Sequence, residues 1–329
     1  MDYTSPIKCR KVLSIQSHVI HGYVGNKAAT FPLQYRGWDV DVLNTVQFSN
    51  HPGYETFTGY KYDPKTLQDI VENGLVDSLH IDYDAVLTGY LPSVENLQNL
   101  AHIINKMKET NKHLKWILDP VLGDNGRLYV SGDNVPAYKT LLRENTIYLV
   151  TPNQFEMETL TEITISSLET LRRSFQEYHR LYPKTERIVV TSLELNSDDS
   201  TYIVACCDTT NKDDDIWFFE VPKIKAHFNG SGDLFAALLL DILVPSRSLE
   251  VNYPSNHIPL HEALGQTLWL VNEVLERTFE LARPLLVNGE NVDQEIPKIK
   301  DLRLIQCRAL FALDCIPSLT PTRVPSTVV

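Results

Sequence analysis

The sequence predicts an α/β fold in which a mostly parallel central sheet is flanked by helices on both faces, with a small flap. The first observation behind this prediction is the order strand, helix, strand over residues 11–17, 28–36 and 38–44, which implies a right-handed crossover and parallel pairing. The second is that strand-length apolar runs keep alternating with helix-length segments as far as residue 190. The third is the run at 236–243, apolar apart from Asp241, which is typical of a buried helix.

The later elements follow the same alternation. Further strands are predicted at 85–90, 115–118, 147–150 and 187–190, and further helices at 63–73, 94–108, 135–143, 167–178 and 260–279. Residues 201–207 and 216–221 have the pattern of an antiparallel pair, joined by a solvated acidic turn at 213–215.

Four stretches depart from this alternation. Residues 46–60, with a turn at Pro52, are expected to form the flap over a cleft. Residues 125–130 are expected to be a mobile loop, and residues 245–259 a connecting loop. Pro, Thr and Ser dominate the end of the chain, which favours a disordered tail at 309–329. The chain is therefore predicted to be one domain at 1–308 followed by that tail.

The composition restricts the function classes. A formal net charge of −12 over 329 residues argues against nucleic acid or an anionic membrane as partner, because each needs a basic face. An anionic nucleotide must then be attracted by local groups or by a metal. No apolar run reaches the length of a membrane span. Five cysteines without a C-x-x-C pair, and no secretory leader, favour reduced thiols and a cytoplasmic location, with the nucleus as a compatible alternative.

The turn before the apolar helix carries the strongest chemical signal. It contains Gly230, Ser231, Gly232 and Asp233. The glycines let the backbone adopt a positive φ close to a ligand, and the unpaired N–H groups of a first helical turn bind phosphate. Asp233 could then accept the proton of an alcohol while those amides hold a phosphoryl group. The alternative is that Ser231 or Asp233 is an ordinary helix N-cap.

Polar residues also follow five of the predicted strands. The ends of parallel strands gather at one edge of a sheet, which is where open α/β sheets bind ligands. Together with the glycine turn, this edge is the expected site. Its residues are Ser17, Thr88-Gly89-Tyr90, Asp119, Thr151 with Asn153, and Thr191.

A magnesium and phosphate region is predicted at Asp119, Asp124, Asn153 and Glu156. Mg²⁺ prefers oxygen ligands and often takes only one or two carboxylates together with substrate phosphates. Asn153 and Glu156 would lie on one face of a first helical turn, where a purely structural capping role is an equal alternative.

Several familiar signatures are missing. The sequence contains neither a P-loop nor a G-x-G-x-x-G after its first strand, which argues against a P-loop enzyme and against a nicotinamide oxidoreductase. His18 and His21 stand near the expected cleft without metal-ligand spacing, and a structural or solvated role is expected for both.

With these motifs the chain resembles the pyridoxal kinases of the ribokinase-like superfamily. The G-x-G-D turn alone is typical of the superfamily, whereas the whole set is typical of the kinases, and it spans residues 11–308. The matching segments are SIQSHV at 14–19, GYVGN at 22–26, VQFSNH at 46–51, LTGY at 87–90, DPVLGD at 119–124, TPNQFE at 151–156 and GSGDLF at 230–235.

The resemblance implies phosphoryl transfer from MgATP to the 5′-hydroxymethyl group of pyridoxal, pyridoxine or pyridoxamine. It implies that Asp233 is the general base, that Gly230 and Gly232 form an anion hole, and that members are cytosolic homodimers. Substrate contacts are implied for Ser17, Pro52, Tyr90 and Asp233. Nucleotide contacts are implied for Asp119, Tyr129 on a closing loop, Asn153, Gln154, Phe155, Glu156, Thr191, Ser192, Ile224, Lys225, Ala226 and Ser231. Metal contacts are implied for Asp124 and Glu156 toward Mg²⁺, and for Asp119, Thr151 and Thr191 toward K⁺ or another monovalent cation.

Two positions depart from the family pattern. Pro52 stands where the family usually has Thr, which removes a hydroxyl and a backbone donor from the turn at the substrate. Ser231 replaces another Thr and keeps the hydroxyl. The alternatives are therefore a kinase of another small alcohol, such as a hydroxymethylpyrimidine or a sugar, and a vitamer-binding homologue with weakened catalysis.

Overall fold

A ten-stranded mixed sheet forms the centre of the computed structural model, which describes residues 9–195, 200–209, 215–244, 258–286 and 298–325. In chain order the strands are β1 (Lys11–Val19), β2 (Asp39–Phe48), β3 (Gly59–Lys61), β4 (Ala85–Thr88), β5 (Lys115–Leu118), β6 (Gly123–Asp124), β7 (Arg127–Leu128), β8 (Leu149–Val150), β9 (Arg187–Leu193), β10 (Thr201–Asp208), β11 (Ile216–Pro222), β12 (His227–Phe228), β13 (Lys298–Ile299) and β14 (Thr322–Arg323). The helices are α1 (Asn26–Tyr35), α2 (Pro64–Gln68) with a π-helical continuation (Asp69–Ser78), α3 (Val94–Thr110), α4 (Asn134–Glu144), α5 (Gln154–Thr161), α6 (Leu168–Leu181), α7 (Ser231–Leu243), α8 (Leu260–Leu286) and α9 (Arg308–Phe311).

The sheet has the order β14-β11-β10-β9-β8-β5-β4-β1-β2-β3. The pairings from β2 through β1, β4, β5 and β8 to β9 are parallel. The outer pairings, which include the predicted β10–β11 pair, are antiparallel. The carboxyl ends of six parallel strands therefore lie along one edge of the sheet, as the sequence predicts.

Each face of the sheet is covered by its own hydrophobic layer. In β1, Val12 packs with α1, α7 and α8, whereas its neighbour Leu13 packs with α3–α6, because successive strand residues point to opposite faces. Helix α7 is buried from residue 234 to 243. The charged residue within that run is Asp241. Its carboxylate accepts hydrogen bonds from the Arg36 guanidinium and the Trp38 indole, which offset the cost of burying the charge.

Two predicted loops contain regular structure. Strand β2 continues to Phe48 and pairs with β3, because Val46 and Phe48 are buried against Val19 and Val24; only residues 49–58 protrude as the flap. Residues 123–128 form a two-stranded hairpin where the sequence predicted an irregular loop, because Asn125 and Gly126 both have positive φ, as a tight hairpin turn requires.

The prediction of a disordered tail is wrong for residues 309–325. Strand β14 pairs with β11 at the sheet edge, and Phe311, Ile316 and Val324 are buried. These few apolar side chains, which pack on the sheet and its helices, are not evident from the Pro- and Thr-rich composition of the segment.

The assignment of 1–308 to a single domain stays a prediction. The expected acidic turn at 213–215 and the loop at 245–259 lie largely outside the described residues, and no described helix is both long and apolar enough to span a bilayer.

Candidate active site

The first turn of α7 meets the loop between β1 and α1. Gly230 precedes the helix with φ 83°, and a Cβ on it would lie 2.2 Å from the Tyr23 carbonyl oxygen. Only glycine fits this left-handed, tightly packed position. Helix α7 has no side-chain cap, so neither Ser231 nor Asp233 acts as the N-cap considered above.

The Asp233 carboxylate is instead held by the opposite loop. The Gly25 N–H donates to Asp233 Oδ2 at 2.7 Å. Gly25 has φ 53°, and a Cβ there would lie 2.1 Å from the Ser17 carbonyl oxygen and 2.4 Å from its hydroxyl. Burial raises the pKa of Asp233, and the Gly25 hydrogen bond opposes that rise. Ser17, Gly25 and Asp233 therefore form one group, with a carboxylate that is oriented and more basic than in water.

Asp119 faces the same helix entrance from the end of β5. A Cβ on Gly232 would lie 3.8 Å from Asp119 Oδ2, so the carboxylate lies beside the first turn of α7. Burial, and then the charges of Glu156 and Asp233, raise the pKa of Asp119 well above its usual range, while the Thr151 hydroxyl opposes the rise. The sheet edge thus concentrates negative charge next to helix N–H groups.

Glu156 has the capping role that the sequence left open, and its role toward Mg²⁺ stays a prediction. Its Oε2 accepts the Asn153 N–H at 2.9 Å, and the Asn153 side chain accepts the Glu156 N–H at 2.9 Å, which is a complete capping box. Its Oε1 accepts the N–H groups of Leu122 and Gly123. Burial raises the pKa of Glu156 to about 7 despite these hydrogen bonds, and the nearby Asp124 charge adds to the rise.

The donor set at this edge fits a hard cation. Asp119 is repelled electrostatically by Glu156 and by Asp233, and the three carboxylates offer only oxygen, which Mg²⁺ and K⁺ prefer over nitrogen and sulfur. Within the described ranges, no three acidic, His or Cys side chains are arranged to bind a metal by themselves. This is compatible with Mg²⁺, whose remaining ligands are usually waters and substrate phosphates.

The predicted nucleotide residues fall into three segments at the same edge. Thr191 donates its N–H to the Pro152 carbonyl at 3.0 Å and bridges to Asn153, and the exposed Ser192 has φ 57°. Phe155 is half-buried. The segment with Ile224, Lys225 and Ala226 connects β11 to β12, next to the glycine turn.

Two predicted nucleotide residues are placed differently from the others. The Gln154 amide is occupied by Glu158, the Ile165 carbonyl and the Glu194 N–H, so it connects loops in this conformation. Tyr129 follows the β6–β7 hairpin and is 62% exposed. The Asp124 carboxylate in that hairpin accepts hydrogen bonds from the backbone N–H and the side-chain amide of Asn125, and it is near enough to Glu156 to influence its pKa.

Two predicted substrate residues, Tyr90 and Pro52, lie after β4 and on the flap. The Tyr90 ring packs against Val19, Val24, Val46 and Phe48, and burial raises its pKa. Pro52 is exposed on the flap. A Cβ on the next residue, Gly53, would lie 3.5 Å from Asn229 Nδ2, which brings the flap turn to the residue before Gly230.

The histidines agree with the structural roles expected of them. Burial and the nearby Lys27 lower the pKa of His18, which interacts with Gln47. The exposed His21 lies 3.6 Å from Asp301.

Three residues near the site were missed by sequence reasoning. Gly25 belongs to a quoted motif, but its hydrogen bond to Asp233 has no sequence signal. Asp301 accepts the Tyr54 hydroxyl at 2.5 Å, and neither residue has a motif of its own. The fold alone brings these segments together.

Comparisons with known proteins agree with this architecture. The profile of the phosphomethylpyrimidine kinase family matches residues 40–253. The Saccharomyces cerevisiae relative BUD17 is 52% identical, over 94% of this chain and 95% of its own. The pyridoxal kinase of Arabidopsis thaliana is 41% identical over 84% of each chain, and that of Homo sapiens is 37% identical over 92% of this chain and 94% of its own.

The solved structures extend this agreement to the backbone. The pyridoxal kinase from Leishmania donovani in complex with ADP and pyridoxine superposes with a TM-score of 0.80 at 29% identity, covering 96% of this chain and 99% of that one. The predicted fold, a mostly parallel sheet flanked by helices as in ribokinase-like proteins, is confirmed.

Proposed function

This chain belongs to the pyridoxal kinase family, and from that premise we propose that it transfers the γ-phosphoryl group of ATP to the 5′-hydroxymethyl group of pyridoxal, pyridoxine and pyridoxamine. The observation that carries the proposal is the Asp233 carboxylate, held by the Gly25 N–H at the open end of α7. A carboxylate in this place can take a proton from an alcohol beside amides that bind phosphate.

Phosphoryl transfer requires positioning of the reactants and neutralisation of charge more than covalent catalysis. Asp233 accepts the proton of the substrate hydroxyl while the hydroxyl oxygen bonds to the γ-phosphorus of ATP and the bond from that phosphorus to the bridging oxygen breaks, which releases ADP. The N–H groups of the first turn of α7, reached through Gly230 and Gly232, hold the oxygens of the transferred group. Ser17, beside Gly25, and Tyr90 orient the pyridine ring.

Metal ions are part of the proposal. Mg²⁺ would neutralise the phosphate charge, with Asp124 and Glu156 as its protein contacts. Asp119, Thr151 and Thr191 would surround K⁺ or another monovalent cation. The support for both is the oxygen-only donor set and the repulsion of Asp119 by Glu156 and Asp233, which a cation would relieve.

The remaining assignments follow from the same premise. Structures of the Leishmania donovani enzyme hold ADP with pyridoxine and ADP with pyridoxamine, which supports both ligands here. ATP would contact the segments at Tyr129, residues 153–156, Thr191-Ser192, residues 224–226 and Ser231. We also propose that the protein is a cytosolic homodimer.

The deciding experiment is a phosphoryl-transfer assay with pyridoxal, pyridoxine, pyridoxamine and a hydroxymethylpyrimidine. The expected result is ATP-dependent phosphorylation of all three vitamers at a higher kcat/KM than of the pyrimidine. The matching family profile makes the pyrimidine the relevant competitor. A preference for the pyrimidine would overturn the substrate assignment, and tight vitamer binding without product would support a non-catalytic homologue.

A further inference from the structure

Asp301 joins three segments around the flap. Its side chain is only 15% exposed. It accepts the Tyr54 hydroxyl at 2.5 Å and lies 3.6 Å from His21 Nε2. A Cβ on Gly22 would lie 2.2 Å from its Oδ1, so the carboxylate is pressed against the backbone of the β1–α1 loop.

The segment that carries Asp301 is anchored at the entrance of α7. Strand β13 pairs in parallel with β12, which leads into the glycine turn. The Asn229 side chain donates to the Lys300 carbonyl at 3.3 Å, and Ile299 and Leu302 are buried on either side. Asp301 is therefore held in a constant position relative to Gly230 and the helix that follows.

The flap turn meets this anchored segment through Tyr54. The Lys300 ammonium lies 4.5 Å from the centre of the Tyr54 ring, while the neighbouring Pro52 and Gly53 are exposed. Within the turn, His51 accepts the N–H groups of Gly53 and Tyr54. Burial and the bond to Asp301 raise the pKa of Tyr54 to about 12, so its hydroxyl stays a donor at any physiological pH.

We propose that Asp301 is a positioning residue, which latches the flap turn beside the alcohol-binding side of the site through the Tyr54 hydroxyl. This inference rests on the proposed function. A hydrogen bond to a carboxylate is about twice as strong as a neutral one, and it joins residues 247 positions apart. The latch sets the distance between the flap turn and the α7 entrance, and therefore the space left for the vitamer.

The kinetic test uses Tyr54→Phe and Asp301→Asn, separately and together. Each is expected to raise the KM for pyridoxal roughly fivefold, while kcat and the KM for ATP change less than about twofold, because one charge-assisted bond outside the reacting groups is lost. Because Tyr54→Phe removes the hydrogen bond and Asp301→Asn removes its charge, leaving at most a neutral bond, the double variant should match Tyr54→Phe and not multiply the two effects.

The matched control is Tyr60→Phe. Tyr60 lies in β3, directly after the flap, but its hydroxyl interacts at 3.2 Å with that of Tyr62, so all kinetic constants should stay at wild-type values. Tyr54→Phe keeps the ring against Lys300 and is expected to fold even where Asp301→Asn is destabilised.

Amide hydrogen exchange separates the latch from the proposed function. In substrate-free protein, the N–H groups of Gly53 and Tyr54 should exchange faster in both variants than in wild type or Tyr60→Phe. If wild type phosphorylates no vitamer and exchange still accelerates, the proposed function fails and the latch stands. Any of three results would overturn the latch: unchanged exchange of the Gly53 and Tyr54 N–H groups, an unchanged KM for pyridoxal in active enzyme, or equal rises in the KM for ATP and the KM for pyridoxal.

Discussion

The entrance of α7 and the β6–β7 hairpin lie at the same edge of the sheet but are built in different ways. At the α7 entrance, Asp233 is bonded to a backbone N–H, and Gly25 and Gly230 occupy positions that admit no side chain without strain. In the hairpin, the Asp124 carboxylate accepts a hydrogen bond from the adjacent Asn125, and Tyr129, directly after the hairpin, is exposed.

The α7 entrance is therefore the preorganised part of the site. The groups that would handle the alcohol are fixed before any ligand arrives, which lowers the cost of reaching the transition state. Asp124 and Tyr129, which would contact the metal and the nucleotide, instead lie on or beside an exposed hairpin, as is common where a loop closes on a ligand. Substitutions on the two sides should therefore differ in kind as well as in size.

The largest effect is expected from Asp233→Ala. Turnover should fall by roughly 10³-fold or more, because the general base is lost, while ATP affinity measured by calorimetry stays close to wild type. Asp233→Asn is the companion variant, since it keeps an oxygen for the Gly25 N–H but cannot take a proton. A rate for Asp233→Ala within about tenfold of wild type is incompatible with this role.

Gly25→Ala probes the rigidity of the same side. The new Cβ would meet the Ser17 backbone and hydroxyl, which displaces the N–H that orients Asp233, and kcat should fall by roughly 10²-fold. Gly37→Ala is the control, because Gly37 has φ 90° with open space around it. Gly37→Ala should lose about 1 kcal/mol of stability from the backbone strain alone, and Gly25→Ala should lose more because of the collision. Equal losses of kcat in the two would show that orientation of Asp233 is unimportant.

The buried carboxylate of Glu156 predicts a pH dependence of stability without metal. Its pKa is about 7 in the folded protein and near its ordinary value in the unfolded chain, so the folded state binds more protons between these values. In the presence of a chelator, the free energy of unfolding should therefore decrease on the order of 2 kcal/mol from about pH 5 to pH 7 and level off above that. Urea titrations at several pH values measure it. A free energy that rises or stays flat over this window contradicts the prediction.

Asp124→Ala tests the side with the exposed hairpin. The Mg²⁺ concentration for half-maximal activity should rise roughly tenfold, because one carboxylate contact to the metal is lost, whereas the KM for pyridoxal stays the same. Asp133→Ala is the control, since it removes an exposed carboxylate a few residues beyond the hairpin. If both variants respond equally to Mg²⁺, only the general charge of this surface matters.

The smallest effect is expected from Pro52→Thr on the flap. Restoring a hydroxyl at this exposed turn should lower the KM for a vitamer by about fivefold, since one hydrogen bond contributes about 1 kcal/mol. Assays of pyridoxal, pyridoxine and pyridoxamine measure it, with kcat as the internal control. A change in kcat alone would place Pro52 in the chemical step and not in substrate affinity.

The layered fold and the type of chemistry at the candidate site could both be predicted from the sequence alone. Alternating apolar runs predict the parallel sheet because burial on both faces demands them, and the G-S-G-D turn predicts a phosphate-binding helix entrance because its backbone conformation demands glycine. The order at 309–325 was missed, since composition averages over Phe311, Ile316 and Val324, while a few well-placed apolar side chains suffice to hold a segment.

The hydrogen-bonded pairs at the site, in contrast, are evident only from the folded structure. Gly25 and Asp233 are 208 positions apart, and Tyr54 and Asp301 are 247 apart. Local patterns describe how a residue relates to its neighbours along the chain, whereas these bonds depend on how several helices and strands pack together. Which N–H orients the carboxylate, and which carboxylate holds the flap, are therefore properties of the folded chain.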